Sequence, residues 1–315
     1  MEQYTRLDEN EIQAISARFD IQTISSFELL SGGSENTNYL VTSENGKYIL
    51  CICEQKTADQ ARELAHLLEY LKTNNFNTSK IIYSTNNEAV IMYKGKPIMI
   101  RAFLEGKIQK DLSPQLLQLI GKELAKLHLI APPEYLPKAL SYGKEHFADV
   151  KRYAAKSEFD MWLKKVLDYI RPYLKLNLPK SFIHSDVFWE NVIISEDEKY
   201  ATIMDFEESA QYYRVFDIGM TIIGTCAEGE IVNLEKVKQL LVGYQSAVRL
   251  SADEINALKA FTIYAAAAMA FWRHQNFNYV KPDPKMFHHY LGLKVLADYV
   301  FELPDNCFVD LLEAN

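Results

Sequence analysis

The stretch Phe182–Ser195 reads FIHSDVFWENVIIS, and it sets two polar side chains, Asp186 and Asn191, at the entrance of an apolar run. Val192, Ile193 and Ile194 have the look of a buried strand, so polar groups at its mouth need partners. A turn or helix cap would supply them, and so would a site. Downstream, the polar turn EDEK separates this run from YATIMDF, a second apolar run that ends at Asp205 and Phe206. Pairing the two as an antiparallel hairpin around Glu198 makes facing residue numbers sum to about 396, which sets Asn191 opposite Asp205. An amide oxygen and a carboxylate at one strand mouth, with Asp186 on the preceding loop, form an oxygen-rich set suited to a hard divalent cation such as Mg2+.

Working outward, the order of secondary-structure signals is the main guide to organisation, because the chain shows no repeat, low-complexity tract or linker. An amphipathic helix in MEQYTRLDENEIQAISARF is followed by the strand-like runs FELLSGGSENTNYLVTS and KYILCICE, with an Asn45-Gly46 turn between them. Ala61, Leu64, Ala65, Leu68 and Leu71 then recur at helical spacing. Strands return in AVIMYK and KPIMIRAFL, and from Ser113 helices dominate, with Ser113 as cap and Pro114 at the first helical position. The expected division is a strand-rich lobe over residues 1–103 and a larger, mostly helical lobe over 104–315, joined near Phe103–Gly106.

Composition narrows the partners. The 315 residues are 48% hydrophobic and 24% charged, which is globular. A formal net charge of −8 argues against a nucleic-acid groove or an anionic membrane as the main partner and favours a small molecule. The most apolar segment, AFTIYAAAAMAFW from Ala260, falls short of the roughly 20 residues needed to cross a bilayer and is expected to be a core helix. The N-terminal segment lacks the apolar core of a leader, so a cytoplasmic setting is expected. Cys51 and Cys53 lie two apart in one strand without a nearby His or third Cys, which predicts buried thiols in place of a metal site.

The spacing H-S-D-V-F-W-E-N over His184–Asn191 fits H-x-D-x-x-x-x-N, and Asp205-Phe206 fits the D-F element that follows it. On these motifs the sequence resembles the aminoglycoside/choline phosphotransferase branch of the protein-kinase-like fold, in which D-F lacks the glycine of D-F-G, as in DFEE here. The resemblance runs from about Ser26 to Leu293. It implies an α+β, two-lobed protein-kinase-like fold with a small antiparallel-sheet lobe and a larger helical one. It further implies ATP as phosphoryl donor and Mg2+ as cofactor, with Asp186 orienting and deprotonating the attacking hydroxyl and Asn191 and Asp205 holding the metal. His184 would brace the loop, and Asp217, in VFDIGM, would support it.

In the first lobe the turn SGGSENTN would lie over the phosphates, with Ser31, Gly32, Gly33 and Ser34 offering backbone N–H groups. Backbone around Arg101–Leu104, Phe103 included, would meet the adenine. Cys51 stands where the resemblance expects a third-strand lysine; Lys56 lies beyond the strand, Arg101 supplies charge if it faces inward, and Glu63 is the acid expected on the following helix.

GGSENTNYLVT with GKYIL, and MAFWRHQNFNYVKPDPKMFHHYL, resemble segments of the kinase-fold homoserine kinases, which implies homoserine as acceptor. Arg214 and Arg273 would then meet a carboxylate, and Glu207 and Glu208 an ammonium. Choline, ethanolamine, an aminoglycoside, hydroxylysine or a sugar are the alternative small hydroxyl-bearing acceptors. A catalytically silent nucleotide-binding protein is the alternative from another class, with Cys51 as its supporting feature.

Overall fold

The computed structural model describes residues 5–30 and 36–313, and within them the chain divides into two compact units. The first comprises residues up to Glu105 together with Met204–Glu207, and the second comprises Gly106–Ile203 and Glu208 onward. The division thus falls after Glu105, two residues past the expected 103, and the second unit is not the continuous span 104–315. Four residues return to the first unit because Phe206 seats its ring edge-on against Phe76 at 5.8 Å and Glu207 pairs with Lys56.

In the first unit, α1 (Glu9–Ala17) opens with a capping box in which Asp8 accepts from the Glu11 N–H and Glu11 accepts from the Asp8 N–H. The strands β1 (Ile24–Leu29), β2 (Asn36–Ser43) and β3 (Gly46–Cys53) follow, then α2 (Ala58–Thr73), β4 (Ile81–Ile82), β5 (Ile91–Tyr93) and β6 (Lys96–Ala102). All pairs are antiparallel, in the order β1-β2-β3-β6-β4, with β5 also on β6. The β2–β3 turn is formed by Glu44 and Asn45, one residue before the expected Asn45-Gly46, and Gly46, with φ +135°, opens β3 opposite Ser43.

Side-chain alternation splits this sheet into two unlike faces. Tyr39, Val41, Leu50, Ile52, Ile98 and Ile100 point one way and pack with Ile12, Ile15 and Phe19. Each such aliphatic side chain stabilises the fold by about 1.5–3 kcal/mol. The opposite face carries Asn36, Asn38, Cys51, Cys53, Met99 and Arg101. Segment 5–7 is tied to β2 and to Glu54: the Leu7 N–H donates to Tyr39 Oη (2.9 Å), which donates to the Thr5 carbonyl (3.0 Å), and the Thr5 N–H donates to Glu54 (2.9 Å). Glu54 also accepts from Thr37 Oγ1 at 2.6 Å and pairs with Lys96.

The second unit is built on α3 (Pro114–Leu129), α4 (Glu158–Ile170), β7 (Lys180–Ile183), β8 (Val192–Ile194), β9 (Ala201–Ile203), β10 (Ala210–Tyr213), α5 (Arg214–Thr225), β11 (Ala227–Glu228), β12 (Ile231–Val232), α6 (Leu234–Gln245), α7 (Ala252–Gln275), α8 (His289–Glu302) and α9 (Cys307–Glu313). Ser113 caps α3 and Pro114 starts it, as the sequence predicts. Helix α7 runs on through a π-helical turn, Asn276–Val280, and is far longer than its apolar centre. By length and composition Ala252–Val280 is long enough to cross a membrane, yet 83% of its most apolar window is buried in protein. Its residues Ala257–Ala268 are all buried, many of them against α5 and α8.

β8 and β9 form the expected hairpin, but in a different register. The pairs are Val192–Ile203, Ile193–Thr202 and Ile194–Ala201, which sum to 395, so prolonging the ladder by one step brings Met204, not Asp205, opposite Asn191. Ser195 shifts the turn: its hydroxyl accepts from the N–H groups of Lys199 (3.2 Å) and Tyr200 (3.0 Å), with Glu198 left-handed at φ +56°.

Candidate active site

In the second unit the chain leaves β7 at Ile183 and enters a loop held by a buried network. Ser185 takes φ +69°, a conformation uncommon for a side-chain-bearing residue, and every polar group on it is engaged. Its N–H donates to Asp217 Oδ1 at 2.7 Å, its carbonyl accepts from Tyr142 Oη at 2.6 Å, and its hydroxyl donates to the Glu208 carbonyl at 2.7 Å. Asp217, on α5 and fully buried, also accepts from the His184 N–H at 2.8 Å and lies 3.0 Å from His128 Nε2. His128 Nδ1 lies 2.8 Å from Tyr244 Oη. Placing the His128 proton on Nε2 satisfies both contacts, since Tyr244 then donates to Nδ1. Burial, with the charge of Asp186 added, holds the Tyr142 phenol well above its ordinary pKa, so it stays a donor.

The loop presents Asp186 half-buried. The Asp186 N–H donates to His184 Nδ1 at 3.2 Å, and Asn191 Nδ2 donates to the Asp186 carbonyl (2.9 Å) and to Asp186 Oδ2 (3.1 Å). With its NH2 turned to Asp186, the Asn191 amide has its oxygen without a hydrogen-bond partner among the described residues. Arg273, on α7, stacks its guanidinium over the Phe188 ring at 5.7 Å and reaches His289 Nε2 at 3.4 Å. Burial lowers the Arg273 pKa, whereas Asp186 and Glu190 act in the opposite sense.

In the first unit Asp205 also adopts a left-handed conformation, φ +69°. Water reaches its carboxylate, yet the surrounding protein, followed by the charge of Glu207, raises its pKa to about 6, against the pull of Arg101 and Lys56. Glu207 is bound to Lys56 at 2.5 Å and accepts from Asn36 Nδ2 at 2.7 Å. Cys51 and Cys53 are buried free thiols, and no group of three His, Cys, Asp or Glu among the described residues is placed to hold a metal. That does not conflict with magnesium, which is commonly held by one or two protein oxygens, with phosphates and water completing its shell. The carboxylate of Asp205 and the free amide oxygen of Asn191 are donors of that hard-oxygen kind.

Several expectations need correction. Arg214 is closed in a two-point ion pair with the buried Glu254, at 2.5 and 2.7 Å, so its guanidinium is not open to a substrate. Glu207 belongs to the first unit and is taken by Lys56 and Asn36, whereas Glu208 belongs to the second and accepts from Ser141 Oγ at 2.9 Å. The two adjacent carboxylates therefore do not act as one pair. Glu63 is exposed on α2, whereas the acid that meets Lys56 is Glu207. At the expected adenine contact, the Ala102 N–H donates to the Lys80 carbonyl (2.8 Å) and the Phe103 N–H to the Lys47 carbonyl (3.1 Å), which leaves Leu104 as the N–H without such a partner among the described residues. Ser31, Gly32, Gly33 and Ser34 lie outside the described residues.

Other contributors carry no signal in the sequence. No motif marks Tyr142 or His128. Gly224 lies under the loop, where a Cβ would come within 2.2 Å of the Val187 carbonyl oxygen, so only glycine fits. Lys56 lies beyond β3, yet its long side chain reaches Glu207 from there.

Known proteins place this geometry. Solved structures that resemble the chain at low sequence identity include an amicoumacin kinase bound to AMP-PNP, Ca2+ and Ami (15% identical, TM-score 0.72) and a microcompartment-associated aminopropanol kinase (16%, TM-score 0.70). Both alignments cover 98% of each chain, and they show the fold to be that of the kinase-like phosphotransferases. A homoserine kinase of Paramagnetospirillum magneticum is 26% identical over 294 residues, 89% of this chain and 90% of that one. Residues 26–249 match the model of the phosphotransferase enzyme family, more than half of the chain, and with the His184–Asn191 loop inside that span the protein belongs to this family.

Proposed function

We propose that the protein transfers the γ-phosphoryl group of ATP to the hydroxyl of a small amino alcohol that also bears a carboxylate, with homoserine as the acceptor that fits best. The transfer rests on Asp186, whose carboxylate is fixed by Asn191 on a loop whose strained residue is locked by three hydrogen bonds. Asp186 accepts the proton of the attacking hydroxyl, and the attack is in line, so the chain contributes placement and charge without a covalent intermediate. Magnesium, when bound, neutralises charge on the phosphates; Asp205 and the Asn191 amide oxygen are assigned to it.

The observation that carries the acceptor class is Arg273. It is half-buried, feels the charges of Asp186 and Glu190, and its contacts among the described residues are the Phe188 ring and His289 Nε2, with no carboxylate in an ion pair. A carboxylate on the acceptor would complete its fork, which choline, ethanolamine or a sugar cannot do. Glu208, in the same unit, is assigned to the acceptor ammonium. The relative named homoserine kinase supports the same choice.

ADP release with ATP and magnesium over L-homoserine, hydroxylysine, choline, ethanolamine, an aminoglycoside and simple sugars tests the proposal. Turnover confined to homoserine supports it. Turnover of a carboxylate-free alcohol keeps the chemistry and removes the acceptor, and ADP binding without turnover of any of them favours the silent alternative that Cys51 raises.

A further inference from the structure

The polar face of the first unit's sheet holds a guanidinium that the protein itself leaves incomplete. Register puts Arg101 of β6 on the same face as Cys51 and Cys53 of β3 and Asn36 and Asn38 of β2. Its Nε is buried without a hydrogen-bond partner, and its single polar contact among the described residues is a long one, Nη2 to Asn38 Oδ1 at 3.4 Å. Asn36 Oδ1 is likewise buried and unpartnered, its NH2 group being turned to Glu207. Asp205 and Glu207 both act on Arg101 through space, yet neither forms an ion pair with it, and Glu207 closes on Lys56 instead.

Arg101 is half-buried with its Nε shut away from water, and a guanidinium so placed is ordinarily matched by a two-point acceptor, because a shielded donor cannot recover elsewhere the hydration it loses. The missing acceptor must also tolerate two carboxylates close by. A bare carboxylate ligand would be repelled there. A phosphate brings its own divalent cation, whose charge would offset the two carboxylates, and its several oxygens would fill the fork.

We infer that Arg101 is the residue that grips the α and β phosphates of the nucleotide, the positive charge being delivered from β6 because position 51 of β3 is a cysteine. This rests on the ATP reading above and assigns within it the phosphate-binding cation. Lys56 does something different, since its bond to Glu207 fastens the segment Met204–Glu207 to the first unit.

The test compares Mg·ADP with adenosine, which shares the base and ribose but lacks phosphate, by calorimetric titration of the full-length protein. Arg101→Met is expected to weaken ADP roughly tenfold to a hundredfold, the loss of charge-assisted hydrogen bonds, with adenosine affinity unchanged. Arg101→Lys should keep most of the ADP affinity, and Cys51→Lys in the Arg101→Met background should recover part of it by returning a cation to β3. ADP affinity that survives Arg101→Met overturns the assignment, and so does an equal loss for ADP and adenosine, which marks a role in the fold. If the wild-type protein binds ADP through Arg101 but phosphorylates no alcohol, the clamp stands and the catalytic reading falls; if it has no affinity for ADP, both fall.

Discussion

Replacing Asp217 by asparagine tests whether a buried carboxylate positions the Asp186 loop. Asp217 Oδ1 accepts from the Ser185 N–H at 2.7 Å, and Oδ2 accepts from the His184 N–H at 2.8 Å and faces His128 Nε2 at 3.0 Å. Asparagine is nearly isosteric but has one oxygen. With that oxygen at the Oδ2 position it keeps two contacts and turns an NH2 group toward the Ser185 N–H, donor against donor. One charge-assisted hydrogen bond is lost and two facing buried donors, the Ser185 N–H and the new amide, are left unsatisfied, together about 2–5 kcal/mol. The lost bond is one of three that hold Ser185 left-handed, so the loop should relax toward an unstrained backbone and carry Asp186 with it. Denaturant unfolding should show the loss of stability, amide exchange at Ser185 should accelerate, and kcat should fall on the order of a hundredfold with ADP affinity preserved. Wild-type stability and wild-type kcat in Asp217→Asn would refute the reasoning, because the carboxylate would then be dispensable to the loop.

Three further outcomes follow from the same geometry. Gly224→Ala sets a methyl 2.2 Å from the Val187 carbonyl and 2.7 Å from Phe188 Cα, so it should destabilise by about 1–3 kcal/mol and lower kcat more than it changes nucleotide affinity, read from steady-state kinetics and melting. Hydrogen bonds from Lys96, Thr37 and Thr5 outweigh burial and hold Glu54 at about 2, below its ordinary 4.5. A depressed carboxyl contributes stability above pH 4.5 and loses it as pH falls toward 2, so the urea midpoint of the wild type should drop more steeply from pH 5 to pH 3 than that of Glu54→Gln. Arg273→Met should raise KM for a carboxylate-bearing acceptor roughly tenfold to a hundredfold and leave KM for ATP unchanged, with Arg273→Lys in between.

Much of this is legible in the sequence because local chemistry dictates it. Alternating apolar residues mark the inner face of the first sheet, Ser113-Pro114 marks the start of α3, and Asn45-Gly46 marks a turn to within one residue. The loop motif places Asp186 and Asn191 together, and a hydrogen bond joins them. What is not legible depends on partners remote in sequence. Arg214 and Arg273 look alike as surface charges, but the first is paired with Glu254, whereas the second meets the Phe188 ring and His289. Glu207 and Glu208 are neighbours in sequence yet fall in different units, a division set by Phe206 packing on Phe76. The hairpin register differs by one from the expected pairing because side-chain alternation alone cannot locate the turn that Ser195 caps.

Single-turnover phosphoryl transfer by Asp186→Asn, measured beside Mg·ADP affinity, decides whether Asp186 is the base. Asparagine can still accept the hydrogen bond from Asn191 but cannot take a proton from an alcohol. Transfer should be slowed roughly 10²- to 10⁴-fold, with ADP affinity and melting temperature near those of the wild type. Transfer within a few-fold of wild type, or a protein that no longer folds, would contradict that role.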